Sequence, residues 1–253
     1  MKDADKRWFV LGDPKSIYVQ EDENKALYRI LPFDSLLQML NDKTITLVQP
    51  SLWEDSYENF LLKEHILRNG EMIPIYMLDK MFYGQCWTSK ASSDALWRIY
   101  SPDKKSVRIR TRIKKIMSLS PPNDEGIMFL GKVEYYKQSK IEDDLRSLGT
   151  LTMDQLTQIL LQSLFVKRTS FQHESEYRIV LMQDFKSDHD GPIKVLGIEP
   201  LDFIETILFD PRADDSYVER CTKILSKSFG FPKSRIKKSE LYSFKPLTLN
   251  VVD

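Results

Sequence analysis

Short segments in which apolar and polar residues alternate recur along the chain, but the helical segments between them follow no regular order. Alternation places side chains on both faces of a strand, so it predicts strands that bury one face. A parallel sheet would need a helix between successive strands. We therefore expect an α+β fold with a mostly antiparallel central sheet flanked by helices. The predicted strands cover residues 26–31, 44–50, 81–89, 106–111, 127–136, 175–182, 193–198, 204–211 and 234–241.

Helices are predicted where apolar residues recur every three or four positions after a capping residue. These helices cover residues 33–40, 51–68, 92–100, 151–165 and 214–231. The Pro-, Gly- and Asp-rich segments 118–126 and 184–192 are predicted surface loops that are too short to link domains. We therefore expect one α+β domain over residues 1–253, with an N-terminal extension of about 25 residues.

Charge and cysteine content exclude several classes of protein. The 37 basic and 37 acidic residues cancel, so no overall positive field attracts nucleic acid or membranes. Two distant cysteines, Cys86 and Cys221, fit a reducing cytoplasm, where we expect them to be buried, inert thiols. No segment predicts a secretory signal or a membrane span. Phosphate-binding glycine motifs and metal-ligand spacings are absent. We expect a cytoplasmic protein without a membrane partner or a metal.

The strand at 175–182 begins with an unusual concentration of charge. Glu176 and Arg178 share the face opposite the apolar side chains, and Lys167 and His173 lie shortly before them. These residues form either a surface ion pair on an exposed sheet face or a working site. The Glu-x-Glu spacing of Glu174 and Glu176 places two carboxylates together, which suits a general base or a ligand for ribose hydroxyls.

A second group of candidates follows the strand that ends near Pro50. Ser51, Trp53, Asp55 and Glu58 are close in sequence, and on the predicted helix Asp55 and Glu58 lie one turn apart. Helix capping and a solvated face would explain the polar residues. An aromatic ring beside carboxylates at a strand end also suits stacking on a flat ligand.

A third group lies on the helix at 92–100 and the strand after it. Trp97 and Tyr100 share a helix face, which is typical of a core pair and also of an aromatic ligand site. Arg108 and Arg110 share one face of the strand at 106–111. They could hold a phosphate or pair with acidic residues on a solvated surface.

Four motifs resemble, in order, a large bacterial family that carries only a domain-of-unknown-function label. They are the strand pair Tyr28-Arg29, the turn at 50–58, Cys-Trp-Thr at 86–88 with Trp-x-x-Tyr at 97–100, and His-Glu-x-Glu-x-Arg at 173–178. The resemblance covers about residues 26–240 and names no activity.

The order of elements is also similar to that of ADP-ribosyltransferases. This second resemblance implies that the chain takes NAD as its substrate. It implies that Arg29 contacts NAD, that Ser51 braces the pocket, and that Glu176, paired with Glu174, holds the ribose and assists transfer.

The leading hypothesis is therefore an ADP-ribosyltransferase-like or NAD-cleaving effector, such as a toxin or an anti-phage protein, with an unidentified protein or nucleic-acid acceptor. Its expected catalytic residues are Glu176, Glu174 and Arg29. The expected ligand-binding residues are Tyr28, Ser51, Trp53, Asp55, Glu58, Trp97, Tyr100, Lys167, His173 and Arg178. The alternative is a non-catalytic ligand- or nucleic-acid-sensing module with an acidic–aromatic pocket. A metal-dependent nuclease is the third hypothesis, and it needs the carboxylates of Asp55, Glu58, Glu174 and Glu176 to meet at one ion.

Overall fold

The structure is a computed structural model that describes residues 22–53, 55, 57–58, 60–63, 65–68, 71–120, 126–183, 191–244 and 246. Most of the expected N-terminal extension and of the two predicted loops lies outside the described residues. The described strands are β1 (Ala26–Pro32), β2 (Thr44–Val48), β3 (His65–Arg68), β4 (Glu71–Pro74), β5 (Phe82–Thr88), β6 (Ser106–Arg112), β7 (Ile127–Lys132), β8 (Glu134–Tyr136), β9 (Val166–Arg168), β10 (Glu176–Met182), β11 (Ile193–Gly197), β12 (Thr206–Phe209) and β13 (Ile236–Lys238).

Among the described residues, nine strands form one sheet, in the order β11-β2-β5-β1-β6-β12-β13, with β10 and β7 joined to it through β5. The pairs in this sheet are antiparallel except for β12 and β13, which are parallel. The fold is therefore α+β with a mostly antiparallel central sheet, as the alternating segments predict.

Helices pack on this sheet, and polar residues cap several of their ends. The described α-helices are α1 (Phe33–Asp42), α2 (Asp94–Tyr100), α3 (Ile113–Met117), α4 (Gln138–Arg146), α5 (Met153–Ser163), α6 (Pro200–Phe203) and α7 (Asp215–Phe229). Ser93 caps α2, Thr152 and Gln155 form a capping box on α5, and Gly230 ends α7 with a left-handed φ of 73°. The structure confirms the helices predicted at 33–40, 92–100, 151–165 and 214–231 to within a few residues.

The helix predicted at 51–68 is wrong. This part of the chain forms short 3-10 turns at Pro50–Leu52 and Phe60–Lys63, and then β3, which pairs with β4. Leu61 and Leu62 are buried in an apolar cluster with α5, so tertiary packing overrides the helical spacing. Asp55 and Glu58 therefore do not share a helix face.

The strand predicted at 127–136 is divided between two sheets. Val133 separates β7, which pairs with β10 in the large sheet, from β8, which pairs in parallel with β9. This division turns β9 and its lysine toward the start of β10, where the charged residues of the chain are concentrated.

Two apolar clusters cover the two faces of the central strands. The larger cluster joins Tyr177 and Ile179 of β10 to α1 and α7, and the smaller one joins Val180 of the same strand to α5. Both faces of β10 are therefore buried, which contradicts the alternative of a surface ion pair between Glu176 and Arg178 on an exposed sheet face. Arg178 has no exposed surface, and Glu176 is 3% exposed.

The central sheet is split beside β5. One edge of β5 pairs with β10 along its whole length, but the other edge pairs with β1 only at Thr88 and with β2 only at Gly84. Side chains bond to the backbone carbonyls in the gap: Arg29 Nη1 donates to Cys86 O at 2.5 Å, and Gln85 Nε2 donates to Thr46 O at 2.8 Å. The split opens a cavity at the centre of the sheet.

Candidate active site

The cavity at the split in the sheet has a volume of about 690 Å³. It collects residues from β1, β2, β5, α2 and the start of β10, which are far apart in sequence. The predicted site residues that line it are Tyr28, Arg29, Trp53, Asp55, Glu58, Tyr100, Lys167, His173, Glu174 and Glu176. Members of all three groups of candidate residues therefore line the same cavity.

Strand register brings the wall of the cavity together. Glu176 lies opposite Thr88, and Thr88 lies opposite Tyr28, so these three side chains form a row across β10, β5 and β1. Ser175, before this row, has a left-handed φ of 46° that ends the 3-10 turn Thr169–Glu174. The turn carries Glu174 to the same wall as Glu176, as the Glu-x-Glu spacing predicts.

Three carboxylates surround the ammonium group of Lys167. Its Nζ lies 2.5 Å from Glu58 Oε1, 2.5 Å from Glu174 Oε2 and 3.3 Å from Glu176 Oε2. Lys167 is 6% exposed, and its Nζ also lies 4.7 Å from the ring centroid of Phe171. Burial alone would lower the pKa of Lys167, but Glu176, Glu58 and Glu174 together raise it above its usual value. The lysine is therefore a fixed cation.

Arg178 supports this acidic cluster from behind the cavity wall. Its Nε lies 2.8 Å from Glu176 Oε1, one Nη lies 3.1 Å from Glu58 Oε2, and the other donates to Leu164 O at 2.6 Å. The guanidinium also lies 4.6 Å from the ring centroid of Trp53. Arg178 itself does not line the cavity. Its contacts orient Glu58, Glu176 and the indole of Trp53.

Burial and charge separate the acid strengths of the glutamates. Burial opposes ionisation of Glu176, but Arg178 and Lys167 outweigh it and lower the pKa of Glu176 to about 2. Burial raises the pKa of Glu58, although Arg178 and Lys167 act against this shift. Glu176 is thus an anion at neutral pH and faces the cavity from the start of β10.

Arg29 is a cation in the cavity wall without a carboxylate partner. Its guanidinium donates a hydrogen bond to the backbone carbonyl of Cys86. No carboxylate of the described residues lies within ion-pair distance of it. Burial lowers the pKa of Arg29, and nearby Glu176 acts against this shift. The remaining N–H groups suit an anionic part of a ligand.

Aromatic rings complete the walls of the cavity. Trp53 lies so close to β5 that a Cβ added to Gly84 would be 2.5 Å from its indole. Glycine is therefore the residue that lets the ring lie against the strand between Gly84 and Arg178. Tyr100 donates a hydrogen bond to Glu174 Oε1 at 3.1 Å, and burial raises its pKa. Tyr100 as a whole remains 45% exposed.

Several predicted residues have other positions or partners. Ser51 hydrogen-bonds to Asp79 and does not line the cavity, and the buried ring of Trp97 does not line it either. Asp55 lines the cavity but pairs with Arg168 at 2.9 Å. His173 is exposed at the rim, where its Nδ1 lies 3.3 Å from Ser170 O.

Sequence reasoning missed residues that only the strand register places in the site. Cys86, expected to be inert, lines the cavity opposite Arg178 and contacts Glu176, and burial raises the pKa of its thiol. Leu96 and Ile99 of α2 line the cavity as well. The Cys-Trp-Thr motif includes Cys86, but no local signal indicates which edge of the strand is open.

Most of the carboxylates that a metal-dependent nuclease would need are ion-paired with a lysine. Glu58, Glu174 and Glu176 surround Lys167, and Asp55 points to Arg168. Within the described ranges, no group of three or more His, Cys, Asp and Glu residues has the arrangement of a metal site. The described part of the chain also contains no helix that is long and apolar enough to span a membrane.

Comparisons with known proteins agree with the motifs. No curated protein matches the chain significantly. The chain is similar to solved structures of Thermus sp. 2.9 DarT in complex with NAD+ (12% identity, 87% of this chain and 98% of that chain, TM-score 0.40) and with carba-NAD+ (12%, 87%, 98% and 0.39). It has similar values against the same protein in complex with ADP-ribosylated ssDNA (13%, 88%, 98% and 0.40). The model of the family "Protein of unknown function (DUF2971)" matches residues 96–179, which confirms the resemblance to a domain-of-unknown-function family.

Proposed function

We propose that the cavity binds NAD and cleaves its bond between nicotinamide and ribose, with transfer of ADP-ribose to an acceptor or to water. The observation that carries this proposal is the ionised Glu176 in the wall of a cavity that also contains aromatic rings and Arg29, a cation with no carboxylate partner among the described residues. A volume of about 690 Å³ lies in the range of small-molecule sites, about 300–1,000 Å³.

The chemistry needs a fixed negative charge beside the ribose. When the bond from ribose to nicotinamide breaks, its electron pair goes to the pyridine nitrogen, and positive charge develops on the sugar until a nucleophile attacks. A preorganised carboxylate stabilises this charge without reorganising. Arg178 and Lys167 hold Glu176 ionised and fix its orientation, so this carboxylate can act on the sugar. Glu174, held by Tyr100 and Lys167, can accept the proton of an incoming nucleophile.

The other groups of NAD also have complementary partners. The pyrophosphate suits the N–H groups of Arg29 that donate to no acceptor in the described part of the chain. Tyr100 and Trp53 present aromatic surface to a flat ring. Cleavage of NAD would make the protein an effector that depletes the dinucleotide or modifies a macromolecule, a chemistry that suits a toxin or an anti-phage protein.

Release of free nicotinamide from NAD, measured by chromatography, tests this proposal. We expect the wild-type protein to release nicotinamide and Glu176→Gln to lower the rate by about 100-fold or more, as for loss of a transition-state contact. Glu205→Gln is the matched control, because Glu205 also pairs with two cations, Arg110 and Arg112, but does not line the cavity. The control should keep the wild-type rate, and thermal unfolding shows whether each variant is folded.

A specific observation also favours a non-catalytic sensing module. Both oxygens of Glu176 already contact Arg178 or Lys167, as expected for a structural ion cluster. A wild-type protein that is stabilised by NAD against unfolding but releases no nicotinamide, with protein and nucleic-acid acceptors present, would support binding without reaction. The absence of both release and stabilisation would rule out NAD as the ligand.

A further inference from the structure

A series of arginines follows the sheet outward from the cavity. Arg108, Arg110 and Arg112 occupy alternate positions of β6 and share the sheet face on which Tyr28 and Ile30 of β1 line the cavity. Register places Arg108 next to Ile30, and Arg110 next to Tyr28. The arginines thus begin one strand away from the cavity.

The outer two arginines of this series share one acidic partner. Arg110 Nε lies 3.1 Å from Glu205 Oε2, and Arg112 Nε lies 2.5 Å from Glu205 Oε1. Glu205 comes directly before β12, the strand beside β6. One carboxylate therefore neutralises part of this charge, at the end of the series that is away from Ile30.

Arg108 has no such partner. Its guanidinium stacks 4.6 Å from the ring centroid of Tyr28, and its Nε is buried without a hydrogen-bond acceptor. No carboxylate of the described residues lies within ion-pair distance of it. Burial lowers the pKa of Arg108, and the neighbouring charge of Arg110 contributes. A half-buried guanidinium without an acceptor is a cost to the ligand-free protein, which a bound anion would offset.

We propose that Arg108 forms a phosphate-binding subsite just outside the cavity, for a ligand that extends from the cavity across Tyr28. The guanidinium lies over the ring of Tyr28 and donates to no acceptor among the described residues, so its N–H groups can make the paired contacts that arginine makes with phosphate oxygens. That the anion is a phosphate, and not a carboxylate, rests on the proposed function. Arg108 lies outside the cavity lining, so the subsite is distinct from Arg29.

A second cation lies farther along the same row of residues. Leu208 of β12 is opposite Arg108, and the exposed Lys237 of β13 is opposite Leu208. Two strand spacings separate Arg108 from Lys237, about 10 Å. The phosphate at Arg108 can therefore come from two sources, the dinucleotide itself or the backbone of a polynucleotide acceptor that runs on toward Lys237.

Arg108→Met tests the subsite, with Arg110→Met as the matched control on the same strand face. We expect Arg108→Met to unfold at about the wild-type temperature, because it loses the contact with the Tyr28 ring but also removes a buried Nε that has no acceptor. Arg110→Met should unfold below it, because it loses the ion pair with Glu205. Binding is then measured by calorimetry with three probes: NAD, single-stranded oligothymidylate and inorganic pyrophosphate. Arg108→Met should weaken at least one probe about tenfold or more, and Arg110→Met should weaken the same probe less.

The pattern of loss identifies the source of the phosphate. Weaker binding of NAD and pyrophosphate points to the dinucleotide, and weaker binding of the oligonucleotide points to the acceptor. Wild-type affinity of Arg108→Met for all three probes, or no binding of any probe to the wild-type protein, would overturn the subsite. Destabilisation equal to that of Arg110→Met would show that Arg108 is structural. Nicotinamide release is scored separately, so the subsite can hold even if NAD cleavage fails.

Discussion

At the scale of single residues, the contacts of Lys167 and Arg178 determine what the glutamates can do. Two cations and three carboxylates form one buried cluster, so removing either cation leaves three buried carboxylates with a single positive charge. The lysine also occupies the position where the three carboxylates meet. This arrangement favours a chemistry that uses a fixed anion over one that uses a metal held by these carboxylates.

We expect Glu176 to make the folded protein sensitive to acid. Burial opposes its ionisation, but Arg178 and Lys167 lower its folded pKa to about 2, against about 4.3 in an unfolded chain. A lowered folded pKa contributes stability that is present above pH about 4.3 and is lost as the pH falls toward 2. This contribution is on the order of 3 kcal/mol.

Urea unfolding at several pH values between 5 and 2 measures this effect. The difference in unfolding free energy between wild type and Glu176→Gln should shrink as the pH falls. Glu58→Gln is the control, because burial raises the pKa of Glu58 and its protonation favours the folded state as the pH falls. A difference between wild type and Glu176→Gln that stays constant across the range would contradict the assignment.

At the scale of elements, α2 holds Tyr100 at the cavity and is fixed at both ends. Ser93 caps its start, and at its end Arg212 donates to Trp97 O and Ser101 O, both at 2.9 Å. Arg212 also pairs at 2.7 Å with Asp210, which has no exposed surface. The position of the tyrosine over Glu174 therefore depends on an arginine outside the cavity.

Arg212→Gln should destabilise the protein by at least about 2 kcal/mol, because it leaves the buried Asp210 carboxylate without its cation. Arg98→Gln is the matched control, since Arg98 pairs with Asp94 on the exposed face of the same helix and its loss should change stability little. Urea unfolding at neutral pH compares the two variants. Equal destabilisation would show that Arg212 does not anchor α2.

The secondary-structure elements also show which parts of the fold local sequence patterns can predict. Local patterns sufficed for β5, β6, β10, α5 and α7, where alternation or caps agree with tertiary packing. They failed at residues 51–68, because the burial of Leu61 and Leu62 against α5 determines the conformation there and overrides the local helical spacing. The motifs likewise indicated Glu174, Glu176 and Arg29 as site residues. The burial of Arg178, in contrast, depends on which helix covers the second face of β10, and local spacing carries no such information.

At the scale of the whole molecule, the two apolar clusters have different relations to the cavity. Trp53 packs against the smaller cluster, which includes Leu160 of α5, whereas Leu225 of α7 belongs to the larger cluster on the opposite face. Both leucines are almost completely buried. Loss of packing at either leucine should therefore lower stability, but only loss of packing at Leu160 should also affect the cavity wall.

We expect Leu160→Ala and Leu225→Ala each to cost about 2–5 kcal/mol of stability. Only Leu160→Ala should also weaken NAD binding several-fold, because the cavity that it leaves lets Trp53 move. Urea unfolding measures the first effect, and calorimetry with NAD at a temperature where both variants are folded measures the second. Equal weakening of NAD binding by both substitutions would mean that the clusters are not separate supports of the site.

The gap beside β5 also leaves part of a strand edge without a partner strand. An unpaired strand edge on a protein surface is a template for strands of other molecules, and proteins commonly blunt or cover it. Here the edge of β5 from Gln85 to Trp87, which has no partner strand on this side, lines a cavity. The Arg29 guanidinium donates a hydrogen bond to the carbonyl of Cys86 on this edge. The sheet can thus stay open to a small molecule while remaining closed to an intruding polypeptide.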